Sequence, residues 1–313
     1  MDTTSLGGIW PASLTPFAPG GGIDEAALRH HLAALAATPG VRALVVNGHA
    51  GEASALDAGE RRQVVRAARE VAAGRVAVVA GVIAEDTRGA CALARDAAAE
   101  GADAILLFPP ALFAAGANLR PEMALHFVAA VAAATPLPIV LFQLSRASGL
   151  GFDTPLLARL CREVPQIVAV KEGSDTPAAY EDNLQAIRAI GRPVAVLSTN
   201  NTWLLESLVQ QPDGILSGIG SVVPELLAEM FAAAQRGDWP AARRANDRLR
   251  PLTRAFYRAP GLDMHNRMKT ALHLLGRLPH PAPRPPLLPI TPAEREAIRL
   301  ALAEAGLLHA AAA

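Results

Sequence analysis

Lysine is almost missing from this 313-residue chain. Its 29 basic residues include only two lysines, Lys171 and Lys269; the other 27 are arginines. Where positive charge alone matters, this protein uses arginine. A guanidinium keeps its charge in proteins, whereas an ammonium in an apolar site can lose its proton and become a nucleophile. A lysine that survives in "VAVKEGSD" (168–175), at the end of an apolar run, therefore points to amine chemistry.

Other scarcities exclude whole classes of function. Acidic residues also number 29, so no excess of either sign points to nucleic acid or an acidic membrane surface. The composition is 51% hydrophobic, yet the apolar runs are short and interrupted. None approaches the roughly 20 residues that span a bilayer. The segment "MDTTSLGGIW" lacks the basic start and apolar core of a signal peptide, so a cytoplasmic protein is expected. The two cysteines, Cys91 and Cys161, form no metal-like or redox-like pair, and both are expected to be buried, reduced thiols. Glu52 and the eight histidines show no metal-ligand spacing, so neither a metal nor another cofactor is expected.

What is present is alternation. Short β-rich runs, "GIWPASLT" (8–15), "ALVVNG" (43–48), "VAVVAGV" (76–82) and "AILLFPP" (104–110), are followed by "PIVLFQL" (138–144), "IVAVKEG" (167–173), "VAVLST" (194–199) and "GILSGIG" (214–220). Between them, stretches such as 24–37, 57–73, 87–100, 121–134, 153–163 and 177–190 carry apolar residues at helical spacing. "DEAAL" at 24 and "DTPLL" at 153 read as acidic N-caps, the second with an early proline. Near-continuous apolar strands alternating with helices imply parallel strands covered by helices. Eight such units in about 235 residues fit an α/β fold of the closed (β/α)₈ TIM-barrel type. The expected division is a barrel over 1–236 and a C-terminal helical extension over 237–313, with a proline-rich linker at 279–289 and a frayed "HAAAA" at the end.

Barrel enzymes draw their catalytic residues from the C-terminal ends of the strands and the loops that follow. That rule selects Thr15, "NGHAGE" (47–52), "FPP" (108–110), "FQLSR" (142–146), Lys171 with Glu172, "STNN" (198–201) and "SGIGS" (217–221). Desolvation can lower a lysine pKa by several units. The neutral amine can then attack a 2-oxo acid or aldehyde and form an iminium, an electron sink for C–C cleavage or dehydration. If alternation holds, Lys171 shares a face with Ile167 and Ala169, and Glu172 points the other way. Lys269, in "NRMKTALHLLG", lies in an amphipathic pattern where a solvated or snorkelling lysine is expected.

The segments "LTPF" (14–17), "GGID" (21–24), "NGHAGEASAL" (47–56), "GADAILLFPP" (101–110), "VAVKEGS" (168–174) and "GILSGIGSVVPE" (214–225) occur in one order and spacing. Together they resemble the dihydrodipicolinate synthase and N-acetylneuraminate lyase family, over about residues 7–276. The resemblance implies a (β/α)₈ barrel, a homotetramer or a dimer of the same type, and a Schiff base between Lys171 and pyruvate or another 2-oxo acid. Family members usually carry Gly-Thr-Thr-Gly-Glu after the second strand, with threonines that hold the substrate carboxylate and relay protons. Here Gly48, His49, Ala50, Gly51 and Glu52 stand there, without either hydroxyl. The family's Tyr-Asn after the fifth strand is Phe142 and Gln143, and phenylalanine transfers no proton. The paired tyrosines of the synthases are replaced by Pro110 and Ala111, and their substrate-binding arginine by Ala147, with Arg146 adjacent.

The expected catalytic pair is therefore Lys171 with His49, whose imidazole can donate and accept protons near neutral pH. Substrate contacts are expected from Thr15, Gly48, Ala50, Gly51, Phe142, Gln143, Ser198, Gly218 and Ile219, with the glycine N–H groups standing in for the lost hydroxyls. The substrate implied is a 2-oxo acid or sugar-derived acid. "SGIGS" also suits an anion, which keeps open a sugar-phosphate aldolase or a protein holding pyridoxal phosphate on Lys171. A non-catalytic descendant that binds or senses a 2-oxo acid is the remaining alternative.

Overall fold

The computed structural model describes residues 6–308; the final "HAAAA" lies outside the described residues. Eight strands alternate with eight helices. They run β1 (Gly8–Pro11), α1 (Glu25–Ala37), β2 (Ala43–Val46), α2 (Ala58–Ala72), β3 (Ala77–Val82), α3 (Thr87–Ala99), β4 (Ala104–Leu107) and α4 (Pro121–Ala134). The second half continues through β5 (Ile139–Gln143), α5 (Thr154–Glu163), β6 (Ile167–Glu172), α6 (Pro177–Arg188), β7 (Ala195–Ser198), α7 (Leu204–Val209), β8 (Gly214–Ser217) and α8 (Pro224–Gln235). All ladders between neighbours are parallel, in the order β1-β8-β7-β6-β5-β4-β3-β2, and bridges from Ile9 to Val41 and Ala12 to Val45 bring β1 back against the β2 segment. The TIM barrel expected from the alternation is the observed fold.

Local chemistry explains the element ends. The Asp24 carboxylate accepts the Ala27 N–H and that of Asp153 accepts the Leu156 N–H, which satisfies donors orphaned at the starts of α1 and α5. Asp57 and Glu60 form a reciprocal capping box on α2. The strands are apolar on both faces because one face packs the barrel interior and the other the helix ring.

Beyond α8 the chain adds α9 (Trp239–Phe256), α10 (Met264–Leu274) and α11 (Pro292–Glu304). Arg267 on α10, almost fully buried, donates to the carbonyls of Phe256 and Arg258 at 3.2 and 2.7 Å and pairs with Glu294 of α11. One guanidinium thus ties all three helices together. Lys269 departs from the solvated lysine expected of an amphipathic helix. It is fully buried, ion-paired with Glu52, 3.3 Å from the Ala282 carbonyl and 4.0 Å from the centre of the Phe17 ring. The helix packs against the barrel on the side that the sequence pattern leaves to water. Cys161 is buried, and burial pushes its thiol up to about 12, whereas Cys91 is half-buried rather than fully enclosed. Among the described residues no helix is long and apolar enough to cross a membrane.

Candidate active site

Strand register sets the centre of the site. Lys171 on β6 pairs with Phe142 on β5 and Leu197 on β7, while Glu172 pairs with Gln143 and Ser198. Side chains alternate along a strand, so Lys171 and Phe142 turn into the barrel mouth and Glu172, Gln143 and Ser198 turn outward. Lys171 and Phe142 line a cavity of about 480 Å³ at the C-terminal ends of the strands, together with Gly48, His49, Ala50, Leu144, Asn200, Trp203, Gly218 and Tyr257. A larger open groove, about 840 Å³, lies at the opposite strand ends beside Gly8, Arg42 and Arg75. It holds neither a lysine nor an imidazole, and barrel active sites form at the other face.

Lys171 is 7% exposed, and burial pushes its amine down to about 7. Its Nζ lies 4.0 Å from the centre of the Phe142 ring. A ring face attracts a cation weakly, but the loss of water is the larger effect and favours the neutral amine. Phe142 meets Phe108 edge-on at 5.1 Å, and the His49 ring lies 4.7 Å from Phe108 and 6.2 Å from Phe142. Lysine, imidazole and two phenyl rings thus form one cluster. The His49 pKa is pushed below the ordinary imidazole value, first by burial and then by the Lys171 charge. Its ring keeps an open surface on the cavity, so water there tempers the shift. Instead of an imidazole that both donates and accepts near neutral pH, the site holds a ring that is a neutral base at pH 7.

The loop that carries His49 is held by backbone geometry. Asn47 and Glu52 adopt left-handed conformations, with φ of 55° and 51°. Gly81 lies beneath the loop, where a Cβ would come within 2.1 Å of the Asn47 carbonyl oxygen. The Glu52 and Ala53 N–H groups close the turn on the His49 and Gly48 carbonyls, at 3.0 and 3.3 Å. Those of His49 and Ala50 have no hydrogen-bond partner among the described residues.

Five expected contacts fall outside the cavity. The Thr15 hydroxyl donates to the Gly51 carbonyl at 2.8 Å, so both residues shape the loop from behind. Gln143 faces outward and is saturated by Phe152, donating to its carbonyl at 2.8 Å and accepting its N–H at 3.1 Å. Ser198 is buried against Ser207 at 2.7 Å. The Ile219 N–H donates to the Tyr257 hydroxyl at 3.2 Å, and its side chain is buried. The serines of "SGIGS" are also occupied. Ser217 donates to Asn201, while Ser221 accepts the Leu14 N–H at 3.0 Å and contacts His31 at 2.9 Å. With those hydroxyls engaged, neither serine is free to hold a phosphate. Among the described residues no cluster of three His, Cys, Asp or Glu side chains could hold a metal.

Three cavity residues from the C-terminal extension have no counterpart in the sequence reading. Tyr257, Met264 and His265 come from the C-terminal helices, which reach over the barrel mouth. Tyr257 is half-buried, and burial pushes its phenol up despite contacts with Ser217 and Ile219, so it stays protonated. His265 is pushed down to about 3 by burial, then by His49, Lys171 and Lys269. The rule that looks only at strand ends passes over all three. Behind β6, Glu172 is buried and its pKa is raised by burial, although Ser174, Asn183 and Asn200 donate to it. That network fixes the loop 173–175 and Asn200 at the cavity wall. Arg146 is exposed and outside the lining, while Asp175 lies at the cavity and accepts the Ala147 N–H at 3.0 Å.

Comparison with known proteins matches residues 5–305 to the model of the dihydrodipicolinate synthetase family. A 4-hydroxy-tetrahydrodipicolinate synthase of Nitrobacter hamburgensis is 34% identical over 306 residues, covering 98% of this chain and 99% of that protein. One of Kineococcus radiotolerans is 35% identical, covering 97% and 95%. Among solved structures, a monomeric dihydrodipicolinate synthase variant superposes with a TM-score of 0.90 at 25% identity, covering 98% and 99% of the two chains. The dihydrodipicolinate synthase of Agrobacterium tumefaciens gives 0.86 at 29%, covering 97% and 99%.

Proposed function

The chain belongs to the dihydrodipicolinate synthetase family, and on that premise we propose that it is a Schiff-base lyase, an aldolase or dehydratase acting on pyruvate or another 2-oxo acid. The observation that carries this reading is a lysine amine, pushed down to about 7 by burial, on the wall of a cavity at the barrel's catalytic face. Attack of the Lys171 amine on the C2 carbonyl forms a C–N bond. Amine, ketone and one proton give a protonated iminium and water. A C3 proton then passes to neutral His49. Its C–H electron pair becomes the C2=C3 bond, and the iminium π pair returns to nitrogen. The resulting enamine attacks an aldehyde carbon, the alkoxide takes the proton back, and water releases Lys171. No cofactor is needed, because the protonated iminium is itself the electron sink.

The His49 and Ala50 N–H groups, unpaired within the loop, are suited to the substrate carboxylate in place of threonine hydroxyls. The second substrate is where this chain departs from the synthases. Phe142 cannot relay a proton, Ala147 cannot grip a carboxylate, and Asp175 puts a negative charge at the cavity. Thr199 and Thr202 offer neutral hydroxyls there. That lining suits a hydroxylated, sugar-derived aldehyde better than an anionic one. The names of its relatives favour a second reading, synthase activity itself. Turnover of pyruvate with aspartate semialdehyde, set beside an authentic synthase and beside pyruvate with short hydroxyaldehydes, separates the two. We expect synthase turnover at least about 100-fold below the authentic enzyme, the scale of a lost acid–base group. Comparable rates would make the chain a synthase and end the argument from Phe142 and Ala147.

A further inference from the structure

One imidazole at the cavity has no part in the steps above. His265 lies in the first turn of α10 and lines the cavity that holds Lys171 and His49. Two buried contacts hold it there. Lys269, four residues on and therefore on the same face of α10, is ion-paired with Glu52. Glu52 closes the turn that begins at His49, its N–H donating to the His49 carbonyl at 3.0 Å. The pair clasps α10 to the loop that presents His49. On the other flank Arg267 grips the carbonyls of Phe256 and Arg258, which fixes the start of the turn running from Tyr257 to His265.

We propose that His265 is a second proton carrier of this active site, working beside His49 on the 2-oxo acid bound to Lys171. The proposal rests on the Schiff-base reading. The chemistry has two places where a proton must move, C3 of the iminium and the new alkoxide oxygen, and Phe142 serves neither. Two imidazoles lining one cavity cover both. His49 takes the C3 proton as the C–H pair becomes the enamine double bond, and His265 relays that proton from His49 to the alkoxide or, with pyruvate alone, to solvent, so exchange at C3 needs both rings. Burial and mutual repulsion keep both rings neutral in the free site, so either can accept the proton that leaves C3.

Two readouts on the full chain with pyruvate alone test this. Borohydride trapping reads the Lys171 adduct, and exchange of the pyruvate methyl protons in D₂O, followed by NMR, reads proton transfer at C3. His265→Gln keeps the size of the ring without its basicity and is expected to retain the adduct while exchange falls about 100-fold or more. His265→Asn is expected to behave alike, which guards against a folding defect in one variant, and Tyr257→Phe tests the neighbouring phenol as the alternative carrier. Exchange in both His265 variants within about threefold of wild type, far short of a lost acid–base group, overturns the proposal while the Schiff base stands. Loss of exchange in Tyr257→Phe with retention in His265→Gln assigns the step to the phenol and overturns it equally. If the wild type itself forms no adduct, the Schiff-base reading fails and this one falls with it.

Discussion

At the scale of single residues, the site turns on where water is absent. An ordinary lysine is neutral in roughly one molecule of a few thousand at pH 7. Burial of Lys171 brings its amine to about 7, so close to half is nucleophilic at that pH. The rate of adduct formation with pyruvate is therefore expected to rise with pH and level off just above about 7. A continued climb towards pH 10, followed by quenched-flow trapping, would mean that the amine is not desolvated in the free enzyme. The same shift has a sign for stability. Between about 7 and 10.5 the unfolded chain binds more protons at this position than the folded one, so stability rises with pH across that window. The cost of burying Lys171 is complete below it. Lys171→Met should accordingly raise Tm at neutral pH, with the gain shrinking towards pH 10.5.

At the scale of elements, α10 joins the barrel mouth to the extension, and its Lys269–Glu52 pair is the contact to test. Removing one partner of a buried pair leaves an uncompensated charge, at a typical cost of about 3–5 kcal/mol. Lys269→Met is expected to lose that much in urea unfolding, and Lys269→Met with Glu52→Gln to recover most of it. A loss below about 1 kcal/mol, the range of exposed pairs, would show that the pair is solvated. This contact also marks the limit of what the sequence discloses. The strands were legible because parallel strands buried on both faces leave continuous apolar runs, and Lys171 was legible because lysine is scarce and this one ends such a run. The six residues of α7 make fewer than two turns, too few for a period to register. Gln143 was misplaced because the position beside an inward-facing residue points outward. The burial of Lys269 and the reach of Tyr257 and His265 depend on how α9 and α10 fold back over the barrel, and no local pattern encodes that.

At the scale of the whole molecule, three large apolar side chains stay exposed on the stretch leading into α4. Leu112 and Leu119 are 65% and 88% exposed, and Met123 at the start of α4 is also exposed. Large apolar side chains exposed this near to one another along the chain suit a contact surface. The loop beside it is fixed, with Asn118 donating to the Gly151 carbonyl at 2.8 Å and accepting the Asp153 N–H at 2.9 Å. We propose that a second copy of the chain covers this face, in keeping with the homo-oligomer implied by the family resemblance. Light scattering at micromolar concentration should give the mass of two or four chains, and Leu112→Asp with Leu119→Asp should reduce it. A wild-type mass of one chain, 32.6 kDa, would contradict the assembly without touching the chemistry.

The central claim is that Lys171 is the amine that captures the substrate, and trapping tests it most directly. The protein is incubated with pyruvate, reduced with borohydride and read by intact and peptide mass spectrometry. The account predicts one reduced pyruvyl group per chain, located on Lys171 and absent from Lys171→Arg. No adduct with any 2-oxo acid, or an adduct confined to Lys269, would contradict it.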